Sequence, residues 1–230
     1  MVHKQSGNRR VLGQAVGLGS GFAHRLAYEY HVRQTVSEPG RSLLLARSGV
    51  GPLLQRDYWA LIKRCRARPS EIMDVVTERF PDFPPADRVV FERLQDGGGP
   101  LALGEDLRVR IAGAGQTYVR VTNQDKQTLT LATLEGHPEA GRITFGAYRN
   151  DLGDAIFHIR SRARSSTRSL YCGFLLVGNP MQTTTWTDFV GTVAWTFGDG
   201  VWGFIHAETA AIADEPDDHV YKPTFRASGD

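Results

Sequence analysis

The chain has 230 residues, 41% of them hydrophobic and 23% charged, and a formal net charge of +2. That length supports one large domain or two small ones, with a buried core that needs no disulfide staples. So small a net charge argues against nucleic acid as a partner.

Arginine outnumbers lysine 23 to 4, a skew that reads as a GC-rich coding bias rather than as a binding surface. No apolar run reaches the roughly 18 residues of a membrane span, so no stable membrane insertion is expected. The first 30 residues, broken by Gly, Arg and His, lack the apolar core of a signal peptide. The expected location is therefore cytoplasmic, with Cys65 and Cys172 as reduced thiols. Neither cysteine sits in a C-x-x-C pair or a metal-ligand cluster, and no metal site is expected.

Residues 1–50 differ from the rest and read as a partly ordered N-terminal arm; residues 51–230 read as a single ligand-binding domain with a C-terminal tail. The arm carries a glycine-rich stretch, Gly13 to Gly21. A phosphate-cradling loop would need a strand before it and a helix after it, and neither is convincing. The alternative is an arm anchored by Tyr28, Tyr30 and Leu43 to Leu45 on the domain or on a second copy, which leaves a homodimer open.

A first strand spans Asp57 to Lys63, with Tyr58, Ala60 and Ile62 on one face and Trp59, Leu61 and Lys63 on the other. Pro69-Ser70 opens a helix with Ser70 as N-cap, and Ile72, Val75, Val76 and Phe80 recur at helical spacing. It stops before Pro81. Six further strands follow, near 88–94, 105–112, 116–123, 127–134, 142–149 and 154–163. Turn residues separate them at a spacing that reads as an antiparallel meander. In the last strand Phe157, Ile159 and Ala163 share one face, and His158, Arg160, Arg162 and Arg164 the other. Asn179-Pro180 then opens a long helix whose stripe is Trp186, Phe189, Val190, Val193, Ala194 and Phe197, with Gly198 placed to end it. Beyond it lie an apolar stretch (VWGFIH) and an acidic tail, Asp214 to Asp218.

That order of elements resembles the helix-grip fold of START domains, birch-pollen-allergen-like proteins and polyketide cyclases. The resemblance covers residues 55 to 198. It implies an α+β domain in which a curved antiparallel sheet of about seven strands wraps a long C-terminal helix around an internal apolar cavity. Locally, Thr133-Leu134-Glu135-Gly136-His137-Pro138-Glu139-Ala140-Gly141, followed by Arg142-Ile143-Thr144-Phe145, is similar to the signature turn of an uncharacterised family, domain of unknown function 1990. That family has no established catalytic residues to carry over.

The candidate catalytic residues are Tyr118, Tyr58, His137 and Glu135. A carboxylate beside an imidazole can orient it and make a general base, and a phenol in an apolar site can polarise a carbonyl. Glu135, His137 and Glu139 can equally serve to shape a tight turn, or ligate a metal. Trp59, Arg120, Phe145, Phe157, Gln182, Trp186 and Phe189 are the candidate ligand-binding residues. Asp188 is a further polar candidate on the long helix. The row from His158 to Arg164 can grip an anion only if that face turns inward; with Phe157 and Ile159 inward it faces solvent. Trp186, Trp195 and Trp202 read most simply as core.

No nucleotide fingerprint, Ser-His-Asp order or zinc spacing appears, so no cofactor is expected. The resemblance then points to a hydrophobic small molecule as partner, handled by a cofactor-free cyclase or isomerase in bacterial specialised metabolism. The alternatives are a non-catalytic lipid or metabolite carrier and an interaction module.

Overall fold

The computed structural model describes residues 40–94, 98–167 and 179–213. The Gly13–Gly21 stretch, Tyr28, Tyr30, Cys172 and the acidic tail lie outside the described residues. Eight strands form one antiparallel sheet. They are β1 (Val50–Ile62), β2 (Val89–Arg93), β3 (Asp106–Ile111), β4 (Gly115–Gln124), β5 (Thr128–Thr133), β6 (Glu139–Arg149), β7 (Ala155–Ser165) and β8 (Val201–Ile212). Helix α1 (Pro69–Glu78) follows β1, and helix α2 (Asn179–Phe197) separates β7 from β8. The spatial order is β2-β3-β4-β5-β6-β7-β1-β8. Consecutive strands thus pair as a meander, and β1 adds to its far end beside β7. Both helices pack against the sheet, α1 over β5 and β6 and α2 over β1, β8 and β7. This is the α+β helix-grip arrangement.

Several details differ from the sequence-based expectation. Strand β8 occupies the stretch after the long helix and pairs with the outer flank of β1, from Leu53↔Ile212 to Ile62↔Val201. The helix is therefore followed by an eighth strand. Helix α1 also starts earlier: Arg68 is its N-cap, Pro69 its first residue, and Glu71 accepts the Arg68 backbone N–H at 2.8 Å. Proline tolerates that position because the first-turn N–H groups have no intrahelical partner.

Alternation places one side of each strand against the helices. Phe157 and Ile159 in β7, Phe145 in β6, Leu129 and Leu131 in β5 and Val119 and Val121 in β4 all join the core. Ile72, Met73 and Val76 of α1 and Phe189, Val190, Val193 and Ala194 of α2 complete it. The sequence reading put Phe157 and Ile159 inward, and the register bears this out: Ala60 pairs with Phe157 and Tyr58 with Ile159.

Phe189 is the hub of the core. The rings of Phe80, Phe83, Phe145, Phe157 and Trp186 stand between 5.2 and 6.2 Å from it, centroid to centroid. Such edge and offset contacts add to simple area burial. At the helix end, a Cβ on Gly198 would stand 2.2 Å from the Lys63 carbonyl oxygen, so only glycine lets α2 end against the turn after β1.

Trp195 and Trp202, expected in the core, are instead 72% and 64% exposed. Trp195 falls on the solvent side of α2. Trp202 stands beside Leu61 on the face of the sheet that no described helix covers.

Phe189→Ala should lower the free energy of unfolding in urea by roughly 3–5 kcal/mol, because five neighbouring rings cannot all collapse into the space. Leu152→Ala, at a residue 87% exposed, should change it by less than about 0.5 kcal/mol.

Candidate functional site

The alternation that turns Tyr58, Ala60 and Ile62 inward also turns Arg56 inward, where its side chain is only 2% exposed. Arg56 stands opposite Ser161 of β7. Glu139, the first residue of β6, stands opposite Ser165, the last of β7. Arg56 Nη1 donates to Glu139 Oε1 at 3.3 Å, and Gln182 Nε2 on α2 donates to Glu139 Oε2. One carboxylate thus ties β1, β6 and the first turn of α2 together inside the protein.

Tyr58 Oη, Ser161 Oγ, Ser165 Oγ and Gln182 Oε1 are also buried, with no hydrogen-bond partner among the described residues. Buried polar atoms are normally satisfied, so several orphans on one inner face call for an explanation. Burial pushes the Tyr58 hydroxyl's pKa up; the Arg56 charge and the Thr183 side chain oppose that, although Thr183 falls short of hydrogen-bond geometry. Burial also raises the Glu139 pKa, against the pull of Arg56 and Gln182. A carboxyl so placed holds a proton more readily than one in water.

His137 and Glu135 lie in the turn before β6. The imidazole is buried, and its Nδ1 accepts the Glu139 backbone N–H at 3.0 Å. Burial lowers its pKa to about 4, so it is neutral and serves to fix the turn. Glu135 is exposed, and its backbone N–H donates to the Ser42 carbonyl, tying the chain before β1 to the turn. Gly141 closes the motif. It has φ +154, and a Cβ there would lie 2.2 Å from the Arg162 carbonyl oxygen.

The other candidates separate by strand parity. Tyr118 and Arg120 lie on the outer face of the sheet, and so apart from the interior cluster. Arg41 lies 3.4 Å above the Tyr118 ring, and Arg120 pairs with Asp106. The inward neighbours on that strand are Val119 and Val121. Trp59 is also on the outer face, stacked on His206 at 3.7 Å. Phe145, Phe157, Trp186 and Phe189 face inward but pack on one another. Asp188 is half-exposed and pairs with Arg88. Only Tyr58 and Gln182, of the candidates, join Arg56 and Glu139.

Arg56 was absent from the sequence-based set because the strand was begun at Asp57; one more step of the same alternation would have placed it beside Tyr58. Glu139 was read as part of a turn, whereas it opens β6 with its side chain inward.

The basic row of β7 lies on the outer face, as Phe157 and Ile159 require. It is not simply solvated. His158 Nε2 donates to Asp57 Oδ1 at 2.7 Å, Arg160 Nε donates to the same oxygen at 2.5 Å, and the Tyr148 hydroxyl lies 3.3 Å from His158 Nδ1. Burial pushes the Asp57 pKa up, yet the bonds from His158 and Arg160 outweigh it and hold it at about 2. Among the described residues no group of three or more His, Cys, Asp or Glu could hold a metal ion, and no helix is long and apolar enough to cross a membrane.

The folded protein keeps His137 neutral down to about pH 4, whereas the unfolded chain protonates near 6.5. Its contribution to stability is therefore complete above pH 6.5 and shrinks as pH falls towards 4. His137→Asn keeps an acceptor that cannot be protonated, and should flatten this part of a stability-against-pH curve measured by urea unfolding. An unchanged slope would remove His137 as its source.

Among solved structures, the chain is similar to norcoclaurine synthase from Thalictrum flavum in complex with dopamine and hydroxybenzaldehyde. The identity is 11% over 71% of this chain and 95% of that one, with a TM-score of 0.47. It is similar also to the KanY protein, at 9% identity over 64% and 99% of the two chains and a TM-score of 0.48. A third is the ginseng major latex-like protein 151 from Panax ginseng, at 10% identity over 63% and 98%, with a TM-score of 0.43. No family model and no curated protein matches the sequence.

Proposed function

We propose that the inner face of the sheet beside the first turns of α2 binds an apolar small molecule with a polar end, and acts on it as a cofactor-free cyclase or isomerase. The observation that carries this reading is the polar cluster itself. Arg56, Glu139 and Gln182 form a bonded core, and the orphaned atoms of Tyr58, Ser161 and Ser165 stand on the same inner face. Unpaired buried donors and acceptors cost free energy in the empty protein, and a ligand that pairs with them recovers it. The ring cluster around Phe189 is filled by its own side chains, so the ligand's apolar body lies over it and its carbonyl or hydroxyl end reaches the polar groups.

The chemistry available is proton transfer with charge stabilisation. The Glu139 carboxylate takes a proton from a carbon beside a ligand carbonyl, and Arg56 and the Tyr58 hydroxyl stabilise the enolate oxygen. In an isomerisation Glu139 returns the proton at another atom. In a ring closure the enolate carbon bonds to a second carbonyl carbon of the same molecule, and the proton goes to the resulting alkoxide. Nothing is oxidised or reduced in either case, and no atom is lost. Holding one flexible chain in a reactive shape can supply roughly 7–11 kcal/mol of the barrier in well-oriented cases.

Mass spectrometry of the protein from its own host, under native and then denaturing conditions, tests the binding. A releasable organic mass near one per chain is expected. A polyketide-like formula supports the enzyme, whereas an ordinary membrane lipid replaces it with a carrier. Tyr58→Phe is the matching variant. It removes a hydroxyl that has no hydrogen-bond partner among the described residues, so thermal stability without ligand should be unchanged or slightly higher. Occupancy by the released compound should fall by about 5–10-fold, the equivalent of about 1 kcal/mol. A bare chain in the first experiment, or a Tyr58→Phe variant that binds the released compound as the wild type does, would overturn the reading.

A further inference from the structure

The two edges of the sheet are built differently. Strand β2 is five residues long and ends in charge: Glu92 pairs with Arg108 and Arg110, and Arg93 with Glu105. A short, charged edge resists pairing with another chain. Strand β8, at the other edge, is twelve residues long and contains no lysine, arginine or proline. Its single carboxylate is Glu208. Trp202 and Phe204, on the face that no described helix covers, are 64% and 68% exposed. One flank of β8 is bonded to β1 along its length. The other has no strand partner among the described residues and carries a row of backbone donors and acceptors about 30 Å long from Phe204 to Ile212.

We infer that β8 pairs antiparallel with β8 of a second copy of this chain, joining two sheets across a two-fold axis at Ala207. The strand is complementary to itself only in certain registers. His206 and Glu208 share a face, standing beside Trp59 and Asp57 of β1. An axis at Ala207 sets His206 opposite Glu208 of the second copy, and Phe204 opposite Ala210 of the second copy. An axis one residue further on would set two glutamates against each other. An imidazole facing a carboxylate as a hydrogen-bond partner and large-with-small pairs favour the first, and directly opposed like charges disfavour the second. Because β2 is blunted, the association closes at two copies rather than growing into a filament. The strand pair and its flanking aromatic rings amount to an interface near the lower limit for stable complexes, roughly 1,200 Å² in total. Dissociation in the micromolar range follows.

Analytical ultracentrifugation of the full chain tests this from about 1 to 100 µM, the range that such an affinity implies. The expected mass rises from 25.4 kDa to twice that value. Amide hydrogen exchange in residues 204–212 should slow in step with the mass. Ala207→Lys brings two ammonium groups together at the axis and should keep the protein monomeric with its melting temperature unchanged. Mixing it with Ala207→Glu should restore a heterodimer, an outcome that misfolding of either variant cannot mimic. A monomer at every concentration overturns the proposal. If residues 204–212 are then protected, residues 214–230 of the same chain occupy the edge. A dimer that Ala207→Lys leaves intact also overturns it, because the copies then meet elsewhere.

Discussion

Strand β1 is hydrogen-bonded on both flanks, to β7 and to β8, and the rest of the arrangement depends on that double pairing. It is the first strand in sequence and lies near the end of the sheet order, with the whole meander between it and β7 in the chain. Among the described residues the longest-range strand pairings are therefore made at this strand, at the loop-closure cost that non-local pairings carry. Once paired, β1 cannot slip by one residue without exchanging Arg56 and Tyr58 for Asp57 and Trp59. The interior cluster and the outer Asp57–His158–Arg160 bonds are two readings of the same register.

The cluster at Arg56 is a poor way to build a stable core. Removing a guanidinium and a carboxylate from water costs several kcal/mol for each ion, and their attraction recovers that only with good geometry and full hydrogen bonding. Here the ion contact is 3.3 Å, and hydroxyls on the same inner face lack hydrogen-bond partners among the described residues. Packed apolar side chains of similar volume would serve stability as well or better. Around Phe189 the same interior is closed by ring-to-ring contacts. Two ends of one interior thus follow opposite rules, one optimised for packing and the other left with unspent hydrogen bonds. That contrast is what the proposed ligand reading rests on.

Much of this was legible from period alone. The alternation of Phe157, Ile159 and Ala163 against His158, Arg160 and Arg162 gave the sense of β7, and the spacing of Phe189, Val190 and Val193 gave the buried stripe of α2. Period tells which residues share a face, but not which face looks inward. Tyr118 shows the gap: it alternates correctly with Val119, and only the pairing of Val119 and Val121 with their inward partners in β5 assigns it to the outer face. Strand ends are the second weakness. The stretch Val50–Arg56 contains Gly51 and Pro52, which hide a strand whose later residues are plain, and Arg56 was lost with it. Strand β8 was hidden differently, because an apolar stretch after a helix carries no sign of where it will pair.

Strand β8 also decides what kind of residue Arg56 can be. Without it, β1 would be the edge of the sheet, and Thr209, which stands opposite Arg56, would be replaced by water. A guanidinium at a wet edge keeps its hydration, and its contact with Glu139 would be an ordinary surface pair worth a few tenths of a kcal/mol to about 1. Covered by β8 on one flank and β7 on the other, the same pair is desolvated, and the Arg56 charge opposes the rise that burial gives the Glu139 pKa. The strand added after the helix therefore moves the edge of the sheet outward by one position. It encloses the polar cluster, and it transfers the exposed backbone of an edge to a segment whose own side chains are suited to being covered.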